Sequence, residues 1–491
     1  MALRKVIGTE TEYGIAVRAD PDFNPALGSA MVVNSYPGPR VRVQWSYEEE
    51  TPGRDARGFG HEGYGVSDPE GTLVNAVLAN GARLYVDHAH PEYSGPETWD
   101  PLEAALYDKA GESVMHRAAT SATERLGGTR LALYKNNSDG KGNSYGAHEN
   151  YLLSRATPFG DVIRYAMTFL VTRQLFTGAG KVGSENGRPA VDFQLTQRAD
   201  FFEEEVGLET TLKRPIVNTR DEPHGDSTKY RRLHVIVGDA NLSEVQTFLK
   251  LGTTALVLSA LEDGALPDPL DLADPVTACW NVSHDLSFRR PLDLDGGGSA
   301  TALELQWRYY EWLAKYVEKE LDEPVWNRVL SEWHSVLNDM ETDPALLADR
   351  LDWAVKRRLF ERYVNRDGLA WSDSKLRALD LQYHDVDPDR GLYHRLAARG
   401  DVRRLFTDEE VGHAECAPPE RTRAYFRGRC VTDFADSLVA ANWDSLVFDL
   451  GETHLRRVPM MEPMRGTRDL VGDLLDNVDS ASDLIQMLGD Q

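Results

Sequence analysis

Three cysteines in 491 residues, Cys279, Cys416 and Cys430, are an odd number without CxxC spacing. That excludes a disulfide framework and a thiolate zinc site, and leaves small buried hydrophobes in a reducing compartment as their expected role. Positive charge is also short. Against 79 Asp and Glu stand 54 Lys and Arg, a net charge of −25 at pH 7, so the molecule as a whole repels polyanions and is not expected to bind nucleic acid. Long apolar runs are missing too. The most apolar helical segments, Met167 to Val171 and Ala255 to Leu261, are too short to span a bilayer, and no apolar stretch follows Arg4 and Lys5. No membrane partner and a cytoplasmic location are expected. A hydrophobic content of 41% and a mean hydropathy of −0.46 are those of a globular chain, long enough for two or three domains and a large core. No internal repeat is visible.

What is present begins with Asn80-Gly-Ala-Arg-Leu-Tyr-Val-Asp-His-Ala-His-Pro-Glu92. Read as a strand, its period of two puts Arg83, Tyr85 and Asp87 on one face and Leu84 and Val86 on the other. Two charges flanking a tyrosine need either solvent or partners. A second stretch is built the same way. A strand from about Lys5 to Val17 contains Gly8-Thr-Glu-Thr-Glu-Tyr-Gly14, with Glu10 and Glu12 on one face. Paired carboxylates repel unless a cation lies between them, and Mg²⁺ takes such oxygen ligands. The competing reading is a solvated edge strand; Gly8 and Gly14, on the face of the carboxylates, favour close approach by something large.

Between the two strands, Asn34 to Gly71 is a polar tract punctuated by proline and glycine, long for a loop and expected to be a mobile cover or a disordered segment. Helix is expected from Pro101 to Arg125 and strand from Thr129 to Asn137. A glycine-rich turn over Ser138 to Tyr151 then leads into a His148-Glu149-Asn150 cluster; its spacing fits neither a Walker loop nor a dinucleotide fingerprint. A helix over Asp161 to Thr177 is core by periodicity. Arg198, Arg214, Arg220, Lys229 and Arg231 concentrate cations in an acidic chain, and a strand there places Arg232 and His234 on one face, a candidate clamp for phosphate or carboxylate. Ser243 with Gln246 reads as a capping box opening a helix to about Leu261. Ala300 to Tyr363 is helical, with Trp307, Trp312, Trp326, Trp333 and Trp353 expected to pack. Cys416-Ala-Pro-Pro419 marks a boundary, and Leu470 to Leu488 reads as an acidic amphipathic helix pair.

Taken together, Gly8 to Gly14, Tyr85-Val86-Asp87, His90-Pro-Glu-Tyr93, Asn143 to Asn150, Arg232-Leu-His234 and Trp443 resemble the sheet active site of the glutamine synthetase and carboxylate-amine ligase superfamily. Within it, the whole chain resembles the Pup ligase and deamidase family. The resemblance implies an α+β fold: a large glutamine synthetase-like domain, 1–417, whose curved antiparallel sheet carries the site with helices on its other face, and a small C-terminal domain, 418–491. It implies Mg²⁺ ligation by Glu10, Tyr85, Glu92, His148 and His234, and contacts to ATP, or ADP with phosphate, from Arg83, Ser94, Gly95, Arg232 and Trp443, to which the open backbone at Gly8 is added. Asp87 is the implied catalytic residue, as nucleophile on the carboxamide carbon or as base toward water. Glu12 and Glu97 are candidates on position alone. The 34–71 insertion sets the deamidase branch apart from the ligases; here its Gly58 to Gly65 part is shorter than the family pattern. The implied reaction is hydrolysis of the side-chain amide of the C-terminal Gln of Pup, or of the Pup–lysine isopeptide bond. The implied partners are Pup and pupylated proteins, with no obligate oligomer. The alternative is a ligase that consumes ATP through a γ-glutamyl phosphate.

Overall fold

The computed structural model describes residues 2–17, 23–42, 44–45, 53–58 and 74–489. A seven-stranded sheet organises it. Numbered in chain order, its strands are β1 (Ile7–Glu12), β2 (Arg40–Arg42), β3 (Asn75–Leu78), β4 (Arg83–Asp87), β5 (His90–Ser94), β6 (Ala147–Ser154) and β7 (Tyr230–Val235). In space the order is β7-β6-β1-β5-β4-β3-β2, and each neighbouring pair is antiparallel.

The strands exist because each separates two chemistries at period two. On the back face, Leu84, Tyr93, Ala76 and Leu78 pack with Val32 and Val33 of α1 (Pro25–Ser35) and Val114, Met115 and Ala118 of α2 (Pro101–Arg125). At the other end, Ile7, Tyr151, Leu153, Leu233 and Val235 share the main core with α3 (Phe159–Thr172) and α4 (Glu244–Glu262). α2 starts where expected because Pro101 follows an Asp100 side chain that accepts from the Leu102 and Glu103 amides.

The front face is polar, and its register assembles the site. Glu10 stands opposite Ser94 and His148, Glu12 opposite Glu92, Tyr85 opposite Glu92, and Asn150 opposite His234. Toward the β2 edge the same face turns apolar, and Val41, Val77 and Ala79 join a core with Tyr425, Phe426, Leu446 and Phe448. That core belongs to the C-terminal segment, made of α5 (Ala424–Asp433), strands β8 (Leu438–Asn442), β9 (Ser445–Phe448) and β10 (Arg456–Pro459), and the helices Arg468–Asp476 and Ala481–Gly489 where the amphipathic pair was expected. Two glycines permit the approach. A side chain at Gly428 would run into the Ala79 carbonyl, and one at Gly81, which has a φ of 81°, would lie 2.9 Å from the Ala424 carbonyl.

Several expectations are corrected. The strand from Lys5 to Val17 is two: after Glu12 the chain leaves the sheet, and Gly14–Val17 pairs with Leu131–Tyr134 instead. What approaches Gly14 is the chain's own Tyr145 hydroxyl, not a ligand. The 34–71 tract is not structureless where it is described. It finishes α1, forms β2, pairs Gln44–Trp45 with β8, and bridges Asp55 to Arg220; residues 46–52 and 59–71 lie outside the described residues. The helix over Asp161 to Thr177 breaks at Arg173, whose guanidinium is buried against Glu149. Ser243 does cap α4, but the Gln246 side chain bonds Gly178 and Asp352, so there is no reciprocal box. Cys279 and Cys430 are buried as expected, while Cys416 is exposed. No helix among the described residues is long and apolar enough to cross a membrane.

Candidate active site

Two groups of potential metal ligands share the front face, Glu10 with His148 and His234, and Glu12 with Asp87 and Glu92; in each group one donor atom per residue lies within 4.8 Å of the others. They are two residues apart on β1, yet their electrostatics are opposite.

In the first group, Asn150 sets the geometry. Its Nδ2 donates to Glu10 at 2.9 Å, so its Oδ1 faces Arg232, at 2.8 Å, and His234 Nδ1, at 2.9 Å. An amide oxygen only accepts, hence Nδ1 of His234 carries the proton and Nε2 holds a lone pair. That Nε2 is buried and has no hydrogen-bond partner. His148 Nδ1 lies 3.4 Å from Glu10, and Arg232 is 3.6 Å from it. Burial pushes the Glu10 carboxyl up, but the hydrogen bond from His148 and the charge of Arg232 outweigh it and hold it well below the ordinary range. Burial, reinforced by Arg232, keeps His234 neutral. A carboxylate and an imidazole lone pair converge with a fixed tautomer, which is how a metal ligand is prepared.

The second group has a deficit of positive charge. Glu12 accepts from the Gly146 amide at 2.8 Å and lies 3.2 Å from His90 Nδ1; the His90 ring in turn lies against Tyr145, with centroids 4.3 Å apart. Glu92 is buried, and burial together with repulsion from Asp87, Glu12 and Glu10 drives its carboxyl well above the ordinary range. Asp87 sits at the open side, its side chain 40% exposed and 3.1 Å from His88 Nδ1. Burial raises its carboxyl, but His88, His148 and Arg83 outweigh that and keep it ionised. His88 occupies the two-residue turn joining β4 to β5, at a φ of 52°, a backbone state that L residues adopt rarely.

Beside the first group opens a pocket lined by Gly8, Ser94, Gly95, Arg232 and Trp443 among others. It gathers five of the six residues named for nucleotide contact. Arg83 is not among the residues that line it. Its guanidinium stacks 3.8 Å from the Tyr85 ring centroid and donates to Asn75 Oδ1 at 2.9 and 2.6 Å. Tyr85 accepts from Ser94 Oγ at 3.4 Å.

Some participants were not singled out by role in the sequence. Asn75 and Asn150 are held by register alone. Arg198 and Arg214, two members of the cationic stretch, meet at Ser144, donating to its Oγ at 3.2 Å and to its carbonyl at 2.7 Å. Among the described residues neither forms an ion pair with a carboxylate; burial, with Arg214 adding, pushes Arg198 down to about 9. Lys229 and Arg231, by contrast, are answered by Glu462 and Asp221. The glycine-rich turn is filled from within, since Ser138 and the Gly142 amide bond Glu185.

Residues 5–447 match the family described as Pup-ligase protein. The chain belongs to the Pup-ligase family. A protein named depupylase from Acidothermus cellulolyticus is 52% identical over 500 residues, 99% of this chain and 99% of its own length. One named Pup deamidase/depupylase from Mycolicibacterium smegmatis is 50% identical over 99% of this chain and 100% of its own length. The solved structure of the Pup ligase PafA in complex with ADP is 37% identical, with a TM-score of 0.75 over 82% of this chain and 89% of that one. The Pup-ligase fold of this chain is the glutamine synthetase-like α+β arrangement expected from its sequence.

Proposed function

We propose that this chain is an amidase and isopeptidase of the Pup pathway, which hydrolyses the side-chain amide of the C-terminal Gln of Pup to Glu and the isopeptide bond between Pup and a substrate lysine. The observation that carries this is identity of 52% and 50% over nearly the full chain with proteins named depupylase and Pup deamidase/depupylase, against 42% over 83% of the chain with a protein named Pup–protein ligase. Its partners are Pup and pupylated proteins. The division into a catalytic unit, 1–417, and a C-terminal unit, 418–491, is part of the same reading.

The pocket at Gly8, Ser94, Gly95, Arg232 and Trp443 is the proposed nucleotide site, supported by the ADP in PafA and by the gathering of these residues beside the Glu10, His148 and His234 group. Magnesium suits the residues present. Glu12, Asp87 and Glu92 offer hard oxygen donors that crowd one another, while Glu10, His148 and the orphaned His234 Nε2 offer a second set. Glu10, Tyr85, Glu92, His148 and His234 are the proposed ligands. When bound, Mg²⁺ would supply positive charge near the scissile carbonyl and the anionic nucleotide would help hold the metal in place.

The chain's own residues do the rest. Asp87, ionised and open to the solvent side, acts on the amide carbon as nucleophile or takes a proton from water. Arg83, aligned by Asn75 and Tyr85, helps keep Asp87 charged. Arg198 and Arg214 present buried, unneutralised cations on the Glu12 side, suited to an anion arriving with the substrate or left by the nucleotide. Hydrolysis is downhill, so nucleotide need not be consumed in each turnover.

Incubation with Pup ending in Gln, ATP and Mg²⁺ tests the reading. The expected result is ammonia release with the mass change of amide to acid on Pup; unaltered Pup would overturn it. The ligase reading instead predicts stoichiometric ADP with Pup ending in Glu and a lysine acceptor.

A further inference from the structure

We propose that Glu97 is a positioning residue for the nucleotide end of the site: its carboxylate joins Arg423 and Arg427 into one clamp that fixes the Trp443 and His224 walls of the pocket. The inference rests on the reading of that pocket as a nucleotide site.

Glu97 lies just past β5, where the sheet hands the chain to α2. One carboxylate oxygen accepts from Arg423 Nε at 2.7 Å and Arg427 at 3.3 Å, and the other is ion-paired with Arg427. Its backbone carbonyl accepts from Thr422 Oγ1 at 2.6 Å. The side chains of Arg423 and Arg427 are 4% and 1% exposed, so neither can take water in place of the carboxylate.

Each guanidinium also donates to one residue of the pocket wall, Trp443 or His224, and to one carbonyl outside it. Arg427 reaches the Gly81 carbonyl at 2.9 Å and the Trp443 carbonyl at 3.2 Å, and its guanidinium lies 4.9 Å from the centroid of the Trp443 ring. Arg423 reaches the His224 carbonyl at 2.6 Å and the Met460 carbonyl at 2.8 Å. His224 is held at a φ of 45°, a conformation that persists only when its surroundings fix it. Glu97, Arg423, His224 and Trp443 all line the pocket. One carboxylate therefore ties the exit of β5, α5, the Trp443 turn and the His224 loop. Without it, two buried guanidiniums repel each other and both walls lose their anchor. The Glu10 side of the pocket is held instead through β1 and Asn150 of β6, and Arg232 meets the His224 loop at the Glu222 carbonyl, 2.7 Å from its Nε.

A mere structural tie and a positioning residue differ in what they do to two ligands. Full-length wild type, Glu97→Gln, Trp443→Ala and the double variant are titrated with ATP and with inorganic tripolyphosphate, each with Mg²⁺, and melted without ligand. Loss of one partner from a buried charged contact should weaken ATP binding by about ten- to hundredfold in Glu97→Gln. Tripolyphosphate, which has no base to place against Trp443, should change by no more than about twofold, and the losses of Glu97→Gln and Trp443→Ala should not add, because both act through one wall. Unchanged ATP affinity, equal loss of both ligands, or additive losses would overturn the proposal while leaving the nucleotide site standing. A wild-type chain that binds neither ligand overturns the nucleotide reading and this inference with it. Should Glu97→Gln not fold, Arg427→Lys, which keeps the charge and loses the fork, carries the same comparison.

Discussion

Two settings of carboxylate, one just past β5 and one on the front face of the sheet, behave in opposite ways. Glu97 faces two guanidiniums, and although burial raises its carboxyl, Arg427 and Arg423 outweigh that and hold it down at about 2. Glu12, Asp87 and Glu92 face one another, and Glu92 is driven well up. The first arrangement is complete in the protein alone, and complete charge makes structure. The second is incomplete without a cation, and a buried deficit of that kind marks the place where something must bind or react.

The largest effect that would break this contrast comes from Asp87. If the open grouping is the reacting one, Asp87→Asn should lower turnover of Pup ending in Gln by about a thousandfold or more, with nucleotide titrations close to those of wild type. Ammonia release together with an ATP titration checks both halves. Turnover near the wild-type rate would take Asp87 out of the mechanism.

The closed grouping makes a pH prediction. The Glu97 carboxyl titrates at about 2 in the folded chain against an ordinary 4.5, so between those values the unfolded chain binds more protons than the native one. The resulting stabilisation, about 3 kcal/mol, is fully present above pH 4.5 and lost as pH falls toward 2. Denaturant midpoints of wild type and Glu97→Gln measured from pH 6 to pH 3 should converge as the medium becomes acid. A constant gap would mean that the variant acts through packing and not through the charge.

A divalent cation sharpens the contrast from the other side. Mg²⁺ at a hundred times its dissociation constant should stabilise the native chain by about 2.7 kcal/mol, seen as a rise in melting temperature. Glu92→Gln removes part of the repulsion without metal, so its metal-free form should melt above that of wild type and gain less from Mg²⁺. If both proteins respond equally, Glu92 is not part of the metal site.

How much of this was legible in the sequence follows the range of the interactions involved. Alternation in Arg83–Asp87 and in Gly8 to Glu12, the α2 boundaries at Asp100-Pro101, and the core role of Trp326, Trp333 and Trp353 are local patterns, and the structure keeps them. The departure of the first strand after Glu12 was not legible, because the partner that Gly14–Val17 takes up, Leu131–Tyr134, lies far along the chain. Nor was Gln246 leaving its cap for Asp352, 106 residues away. The Glu97 clamp is the extreme case: its partners are 326 and 330 residues distant, and no spacing rule joins a glutamate after a strand to two arginines at and inside the start of a late helix.

The smallest of these effects tests the seat of that late helix. Gly428 faces the Ala79 carbonyl where α5 crosses the sheet, and an added methyl would overlap it. Helix propensity alone favours Gly428→Ala, whereas overpacking should cost about 1–3 kcal/mol, so the sign of the change decides which effect wins. Because Ala424, Arg427 and Trp443 move with α5, the displacement should reach the nucleotide pocket and not the Glu12, Asp87 and Glu92 grouping, which is anchored through β1, β4 and β5. Gly428→Ala is therefore expected to lower the melting temperature and raise the KM for ATP, with kcat at saturating ATP falling far less than in Asp87→Asn. A drop in kcat with KM unchanged would show that the C-terminal segment bears on the reacting carboxylates directly, and the two regions would no longer be separable.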